Sequence, residues 1–351
     1  MIVAHVDLDA FFAAVEELDD PSLRAKPLVV GGDPYGRGVV ATANYAARRF
    51  GIHSAMSCAE ALRRCPTAIF LRPRHARYRE VSRSVWGTIR ELAPVVEQTG
   101  IDEGYLDLTE QAADFLAARA LAEAIQTAVR GTTDLTCSLG IGNAKVVAKI
   151  ASDQRKPGGV TVVPAGKEAA FLAPLDIRKL PGVGPRAAER LRPAGVETVG
   201  RLATMSDDEL ATLLPGKLGL ELRDRARGID RRRVEPASEP PVSISHEETF
   251  DRDVADRARL HEELRRMADS LSRRLDERGL YARTVTTKLR YGDFTTRTRS
   301  TTLPVGTAHA ETIHVVACEL LDRALRRQPG ALRLVGVAVS GLQTEAQLAL
   351  V

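Results

Sequence analysis

Apolar and polar residues along this chain fall into two periods, and the switches between them mark out its elements. The first apolar run, Ile2 to Val6, ends at Asp7 and reads as a buried strand that delivers an acid at its carboxyl end. Phe11-Phe12-Ala13-Ala14-Val15-Glu16 follows with helical spacing. Leu28 to Val30 and Val39 to Thr42 predict two strands joined by the Gly/Pro-rich turn GGDPYGRG. Asn44 to Phe50 predicts a short basic helix ending at Gly51, and Ser57 to Cys65 a helix stopped by Pro66. From Tyr78 to Leu92 the period is helical. Val95, Val96 and Ile101 then precede Asp102 and Glu103, and Tyr105, Leu106 and Leu108 follow, with Gly100 and Gly104 on either side of the acids. This predicts a strand, a tight turn carrying the acids, and a second strand. Ala112 to Arg130 reads as a helix, Leu135 to Ile141 as a strand, Lys145 to Ala151 as a helix and Val160 to Val163 as a closing strand. Strands and helices in this split order predict an α+β, ferredoxin-like sheet, an arrangement that hosts several activities.

Beyond residue 165 the pattern changes twice. Residues 166 to 230 read as all-helical. Within them Leu180-Pro181-Gly182-Val183-Gly184-Pro185 joins two short helices, with Pro185 suited to the first helical position. Gly182 and Gly184 let backbone come close to a phosphate, and Arg178, Lys179 and Arg186 flank them, the helix-hairpin-helix pattern that grips a nucleic-acid backbone. RRRVEPASEPPV, 231 to 242, has no apolar period and reads as an extended linker. A βαββαβ string follows: strand 243 to 250, helix 254 to 278, a hairpin of 284 to 291 and 294 to 303, helix 308 to 327 and strand 332 to 341. On that hairpin Lys288 and Arg290 alternate with Leu289 and Tyr291, while Arg297 and Arg299 alternate with threonines. This predicts four cations on one sheet face, suited to tracking phosphates.

Length and composition narrow the class. At roughly 100 to 200 residues per domain, 351 residues imply two to four domains. A formal net charge of +4 is compatible with nucleic acid without demanding it. The four cysteines are scattered without a CxxC pair and the seven histidines form no ligand spacing. They predict buried thiols in a reducing compartment rather than zinc ligands or a disulfide frame. No apolar run approaches the roughly 20 residues of a membrane span, so a soluble cytoplasmic protein with no membrane partner is expected. Adjacent carboxylates repel, and a fold that gathers them with Asp7 would neutralise them with a hard cation such as Mg²⁺. Taken alone, an acidic hairpin tip in solvent fits Asp102 and Glu103 equally well.

VDLDAFFAAVE, ATANYAARRFGIHSAMS, IDEGYLDLT, GIGNAKVVAKIASDQRKPGG and LPGVGPRAAERL occur in this order and span nearly the whole chain. Together they resemble the Y-family translesion DNA polymerases. The resemblance implies a palm (1–10 and 74–165), fingers (11–73), a helix-hairpin-helix thumb (166–230), the linker (231–242), a little finger (243–344) and a tail (345–351). It implies template-directed addition of deoxynucleoside triphosphates to a primer 3′-hydroxyl, with release of pyrophosphate, low fidelity and no proofreading. Two Mg²⁺ ions would be held by Asp7, Asp102 and Glu103, with the Leu8 carbonyl as a further ligand. Asp9 and Asp107 would be structural acids. Thr42, Tyr45, Arg48 and Lys156 match the family's triphosphate ligands, and Tyr45 and Arg48, at i and i+3, share a helix face.

Phe12 occupies the family's steric-gate position beneath the sugar, although a core phenylalanine fits Phe11 as well as Phe12 from spacing alone. Phe11 joins the nucleotide-binding set. Ser54 and Ala55 match the small residues that roof the templating base. Gly182, Gly184, Arg186, Lys288, Arg290, Arg297 and Arg299 would contact primer-template DNA. The chain departs from the family pattern at Gly100, where serine is common, and at Gly104, where alanine is. Both add backbone freedom to the acid-bearing turn. Gln347, Leu348 and Leu350 resemble the tail that binds a sliding clamp, without its aromatic ending. A monomer is expected. The alternatives are a non-catalytic DNA-binding repair accessory and a palm-fold nucleotide cyclase.

Overall fold

The structure is a computed structural model that describes residues 1–236 and 240–344. Of these, 1–34 and 38–236 form one compact unit, and 35–37 with 240–344 form another. No helix among the described residues is long and apolar enough to cross a membrane. The strands, in chain order, are β1 (Val3–Leu8), β2 (Leu28–Gly31), β3 (Val40–Ala43), β4 (Ile69–Leu71), β5 (Val96–Gln98), β6 (Glu103–Asp107), β7 (Cys137–Gly142), β8 (Val160–Val162), β9 (Ser243–Val254), β10 (Tyr281–Tyr291), β11 (Thr296–Thr307) and β12 (Leu332–Gln343).

In the first unit a five-stranded sheet has the order β5-β6-β1-β7-β8, antiparallel except between β7 and β8. The period-2 pattern of β1 explains its position. Ala4, Val6 and Leu8 join a core with Val85, Trp86 and Ile89 of the helix His75–Leu92 and with Ile125 and Val129 of the helix Phe115–Thr133. Val3, His5 and Asp7 fall on the other face, covered in part by the helix Lys145–Ser152. That helix comes unusually close at Gly140, the register partner of His5. A Cβ there would lie 2.1 Å from both the Ala148 carbonyl oxygen and the Ser152 nitrogen. Glycine is therefore required by close approach of backbone, not by φ.

A three-stranded sheet, β3-β2-β4, carries its own small core of Val29, Val40, Ala43, Ala47, Ile52 and Cys58. β4 is absent from the sequence reading, because three residues paired in parallel with a distant strand show no alternation. Short helices from Glu168–Leu172 to Leu218–Ala226 pack Leu172, Leu191, Val199, Leu202 and Leu222 against Val146, Val147 and Ile150. The expected linker begins anchored: Val234 is buried with Val3, Tyr105 and Ala148. Its residues 237–239 lie outside the described residues.

The second unit is a four-stranded antiparallel sheet, β11-β10-β12-β9, whose apolar face packs on the helices Arg257–Asp276 and Ala310–Arg327. Its register corrects one expectation. Lys288 faces Thr298 and Arg290 faces Thr296, so these two cations share an outer face rich in hydroxyls. Arg297 is instead the partner of the buried Leu289, and Arg299 of the buried Thr287. The four cations are therefore split between the two faces of the sheet. Alternation holds along each strand, but the offset between strands decides which residues share a face.

Candidate active site

The antiparallel pairing of β1 and β6 makes Asp7 and Glu103 register partners, with Asp102 in the turn beside them. Burial lifts the Asp7 carboxyl to about 6; Lys156 opposes the shift and the negative charge of Asp102 adds to it. Burial also raises Asp102, with repulsion from Glu103 contributing. Two lysines answer this charge. Lys156 Nζ lies 2.8 Å from Asp7 and 2.8 Å from Asp153, and Lys149 Nζ lies 2.6 Å from Glu103. Burial by itself would lower Lys156, but Asp7 and Asp153 outweigh it and the net shift is upward. His5 is buried beside them, with Nδ1 2.9 Å from Ser152 Oγ and Nε2 3.7 Å from Glu103. Burial and the neighbouring lysines hold it well below the usual histidine range, so it is a neutral packing group.

Asp9 is engaged by hydrogen bonds within the protein. It is buried and accepts from Ser138 Oγ and the Gly158 amide, both at 2.8 Å, and from the Tyr45 hydroxyl at 3.3 Å. Asp107 accepts from the Thr109 amide at 2.9 Å. Hard oxygen donors pressed together by burial suit a divalent cation in their chemistry. With Asp7 turned to Lys156 and Glu103 to Lys149, however, no group of three or more ligating side chains is gathered for an ion among the described residues.

Of the residues expected to contact a nucleotide, Lys156 reaches Asp7 and Tyr45 reaches Asp9 at the end of β1. Asn44 caps the short helix Tyr45–Arg48 by accepting from the Ala47 amide, and also accepts from the Leu28 amide. The helix is thereby locked to β2. Tyr45 and Arg48 share its face, the guanidinium 4.9 Å from the ring centre. Thr42 lies just before them in β3. Phe11 and Phe12, which spacing left equivalent, are separated by burial. Phe11 is sunk in the core of the five-stranded sheet, while Phe12 is half-buried and stacks on Tyr78 with ring centres 4.3 Å apart. The phenol of Tyr78 donates in turn to Glu16, which Arg74 also holds. Ser54 and Ala55 are exposed on the loop between the helix Tyr45–Arg48 and the helix Cys58–Arg64.

Among the residues expected to touch DNA, Gly182 takes a φ of 103° and Gly184 caps the helix Pro185–Leu191, with Pro185 at its first position. Lys288 is ion-paired to Glu247 at 2.8 Å, which reduces its charge for a phosphate, and Arg297 Nε donates to Gln328. Gln347, Leu348 and Leu350 lie outside the described residues. Sequence reasoning missed Lys149. Its only signal was a position one helical turn after Lys145, on the helix that covers the Asp7 face. The four cysteines are free and buried, as expected.

The impB/mucB/samB family matches residues 6–153, and its C-terminal domain matches 241–350. Residues 178–230 match the DNA polymerase-iota thumb domain. The chain is 45% identical to a DNA polymerase IV from Halorhodospira halophila, over 97% of this chain and 95% of that one. It is 44% identical to a DNA polymerase IV from Streptomyces coelicolor, over 97% and 71%. Among solved structures, a Y-family DNA polymerase chimera of Dbh and Dpo4 aligns with a TM-score of 0.89 at 27% identity, covering 98% of this chain and all of that one. An insertion ternary complex of Dbh DNA polymerase aligns with a TM-score of 0.65 at 27% identity, over 97% and 98%.

Proposed function

From the premise that this chain belongs to the impB/mucB/samB family, the Y-family DNA polymerases, we propose which of its residues perform the polymerase reaction and how. The chain is a DNA-directed DNA polymerase of the translesion type, a nucleotidyltransferase. The observation that carries the residue assignment is the β1–β6 register, which sets Asp7 opposite Glu103 beside Asp102. The cyclase is not favoured, because the family match continues through the thumb and C-terminal domains, nor is the non-catalytic accessory, because all three acids are present in a chain 45% identical to a DNA polymerase IV over 97% of its length.

The family implies dependence on a divalent metal. The finer reading is two Mg²⁺ ions held by Asp7, Asp102, Glu103 and the Leu8 carbonyl. Such ions, when bound, would supply positive charge for the attacking 3′-oxygen and for the departing pyrophosphate. The chain's own groups do the rest. Lys156, Arg48, Tyr45 and Thr42 bind and orient the triphosphate by charge and hydrogen bonds. Phe12, braced on Tyr78, lies under the sugar and excludes a 2′-hydroxyl, while Phe11 serves through its backbone and its place in the core. Ser54 and Ala55 lie over the templating base and leave space there.

In this reading 1–10 with 74–165 are the palm, 11–73 the fingers, 166–230 the thumb and 243–344 the little finger. Gly182, Gly184, Arg186, Lys288 and Arg290 hold primer-template DNA by its phosphates, with Arg297 and Arg299 at the sheet edge. The protein acts as a cytoplasmic monomer, and the tail at Gln347, Leu348 and Leu350 engages a sliding clamp. Primer extension on a defined template tests the reading: with Mg²⁺ and deoxynucleoside triphosphates the protein should copy the template one nucleotide at a time. Failure to extend with any divalent cation would overturn it.

A further inference from the structure

The acid-bearing turn contains two glycines where freedom was expected, yet each backbone carbonyl from Gly100 to Glu103 is tied down. The Gly100 carbonyl accepts from Gln98 Nε2 at 3.0 Å. The Asp102 carbonyl accepts from the Leu8 amide at 2.9 Å, and the Glu103 carbonyl from the amides of Thr99 and Gly100. The Ile101 carbonyl, immediately before the acids, accepts from two side chains, Ser82 Oγ and Trp86 Nε1, the latter at 3.2 Å. Ser82 and Trp86 are one turn apart on the helix His75–Leu92, and both are buried. Neither Gly100 nor Gly104 adopts a left-handed φ. A Cβ at Gly104 would lie 2.8 Å from Trp86 Cη2 and 2.8 Å from the Glu97 carbonyl oxygen. The glycine thus occupies a spot where the indole and the Glu97 carbonyl together leave no space for a side chain, and the departure at 104 is matched by a tryptophan 18 positions earlier.

We propose that Ser82 and Trp86 are positioning residues for the catalytic hairpin. Their two donors fix the Ile101 carbonyl and through it the backbone that presents Asp102 and Glu103, and Gly104 is the complement of the indole. The role rests on the polymerase reading for its meaning, but the geometry can be tested without it. The test uses the full-length protein as wild type, Ser82→Ala, Trp86→Phe, Gly104→Ala and the Trp86→Phe/Gly104→Ala pair.

Amide hydrogen exchange, measured without metal or substrate, should accelerate about tenfold at residues 99–104 in Ser82→Ala and in Trp86→Phe, the factor that one net hydrogen bond supports. Exchange in β7 should stay unchanged. In primer extension the Mg²⁺ concentration for half-maximal rate should rise several-fold in both variants, with the primer-template Kd unaltered. A merely structural core residue would lower the thermal midpoint without moving the Mg²⁺ requirement. Gly104→Ala should show the same defects, and because phenylalanine lacks the indole atom that meets the new methyl while the Glu97 carbonyl stays 2.8 Å away, the pair should lose less than the sum of the two single variants. Unchanged exchange at 99–104 in both Ser82→Ala and Trp86→Phe, or fully additive damage in the pair, would overturn the proposal. Wild-type protein that never extends a primer would overturn the polymerase reading instead, leaving the exchange result intact.

Discussion

Replacing Asp7 by asparagine should make the protein more stable while abolishing its activity. The Asp7 carboxyl is lifted from an ordinary 3.8 to about 6, chiefly by burial. A raised acid means that the folded state holds the proton more tightly than the unfolded chain does. The group therefore destabilises the fold as pH rises from about 4 to about 6, and the loss is constant above that. The gap of about two pH units corresponds to about 3 kcal/mol at neutral pH. The attraction of Lys156 is already inside that figure, because it is one of the forces that set the shifted value. Asparagine resembles the protonated acid in shape and carries no charge, so it should recover most of this amount. The assay is urea unfolding in EDTA, followed by fluorescence of Trp86, the sole tryptophan, which lies in the core of the five-stranded sheet. At pH 7.5 Asp7→Asn should exceed wild type by about 2 to 3 kcal/mol, and at pH 4 the two should nearly coincide. A variant no more stable than wild type at pH 7.5, or a difference that does not change with pH, would refute the reasoning.

Phe12→Ala should raise ribonucleotide incorporation by on the order of hundredfold relative to deoxynucleotide, since about 2.7 kcal/mol of steric exclusion is lost. Phe11→Ala should instead cost about 3 to 5 kcal/mol of stability without changing sugar choice; single-nucleotide kcat/KM values for both sugars distinguish the two. Primer-template affinity should fall steeply with salt and vary little with sequence. Because Glu247 already pairs with Lys288, Arg290→Ala should weaken that affinity more than Lys288→Ala, and equal losses in a filter-binding titration would contradict this. Deleting residues 347 to 351 should abolish stimulation by a sliding clamp and leave unassisted synthesis unchanged, as primer extension with and without the clamp would reveal.

What the chain disclosed early was what lies within single elements. The apolar run ending at Asp7 and the glycine-flanked acids at 102 and 103 predicted β1 and the β5–β6 hairpin, because strand period and turn residues are local. What stayed hidden depended on partners far away in sequence. The two faces of the cationic hairpin were set by register, which placed Arg297 opposite the buried Leu289. Gly104 read as freedom, because the indole that fills its space comes from another element. Lys149 carried only its spacing from Lys145 as a signal, since its pairing with Glu103 depends on its helix packing closely against the sheet at Gly140. The equivalence of Phe11 and Phe12 was broken by packing: one ring is enclosed by the core and the other is left stacked on Tyr78.

The central claim is that Asp7, Asp102 and Glu103 form one catalytic centre in a template-directed polymerase. Single-turnover primer extension with Mg²⁺ at saturating primer-template tests it most directly, with DNA affinity measured in parallel for Asp7→Ala, Asp102→Ala and Glu103→Ala. Each substitution should remove extension while leaving the primer-template Kd within about twofold of wild type, a change of about 0.4 kcal/mol. Near-normal extension by Asp7→Ala or by Asp102→Ala would contradict the assignment.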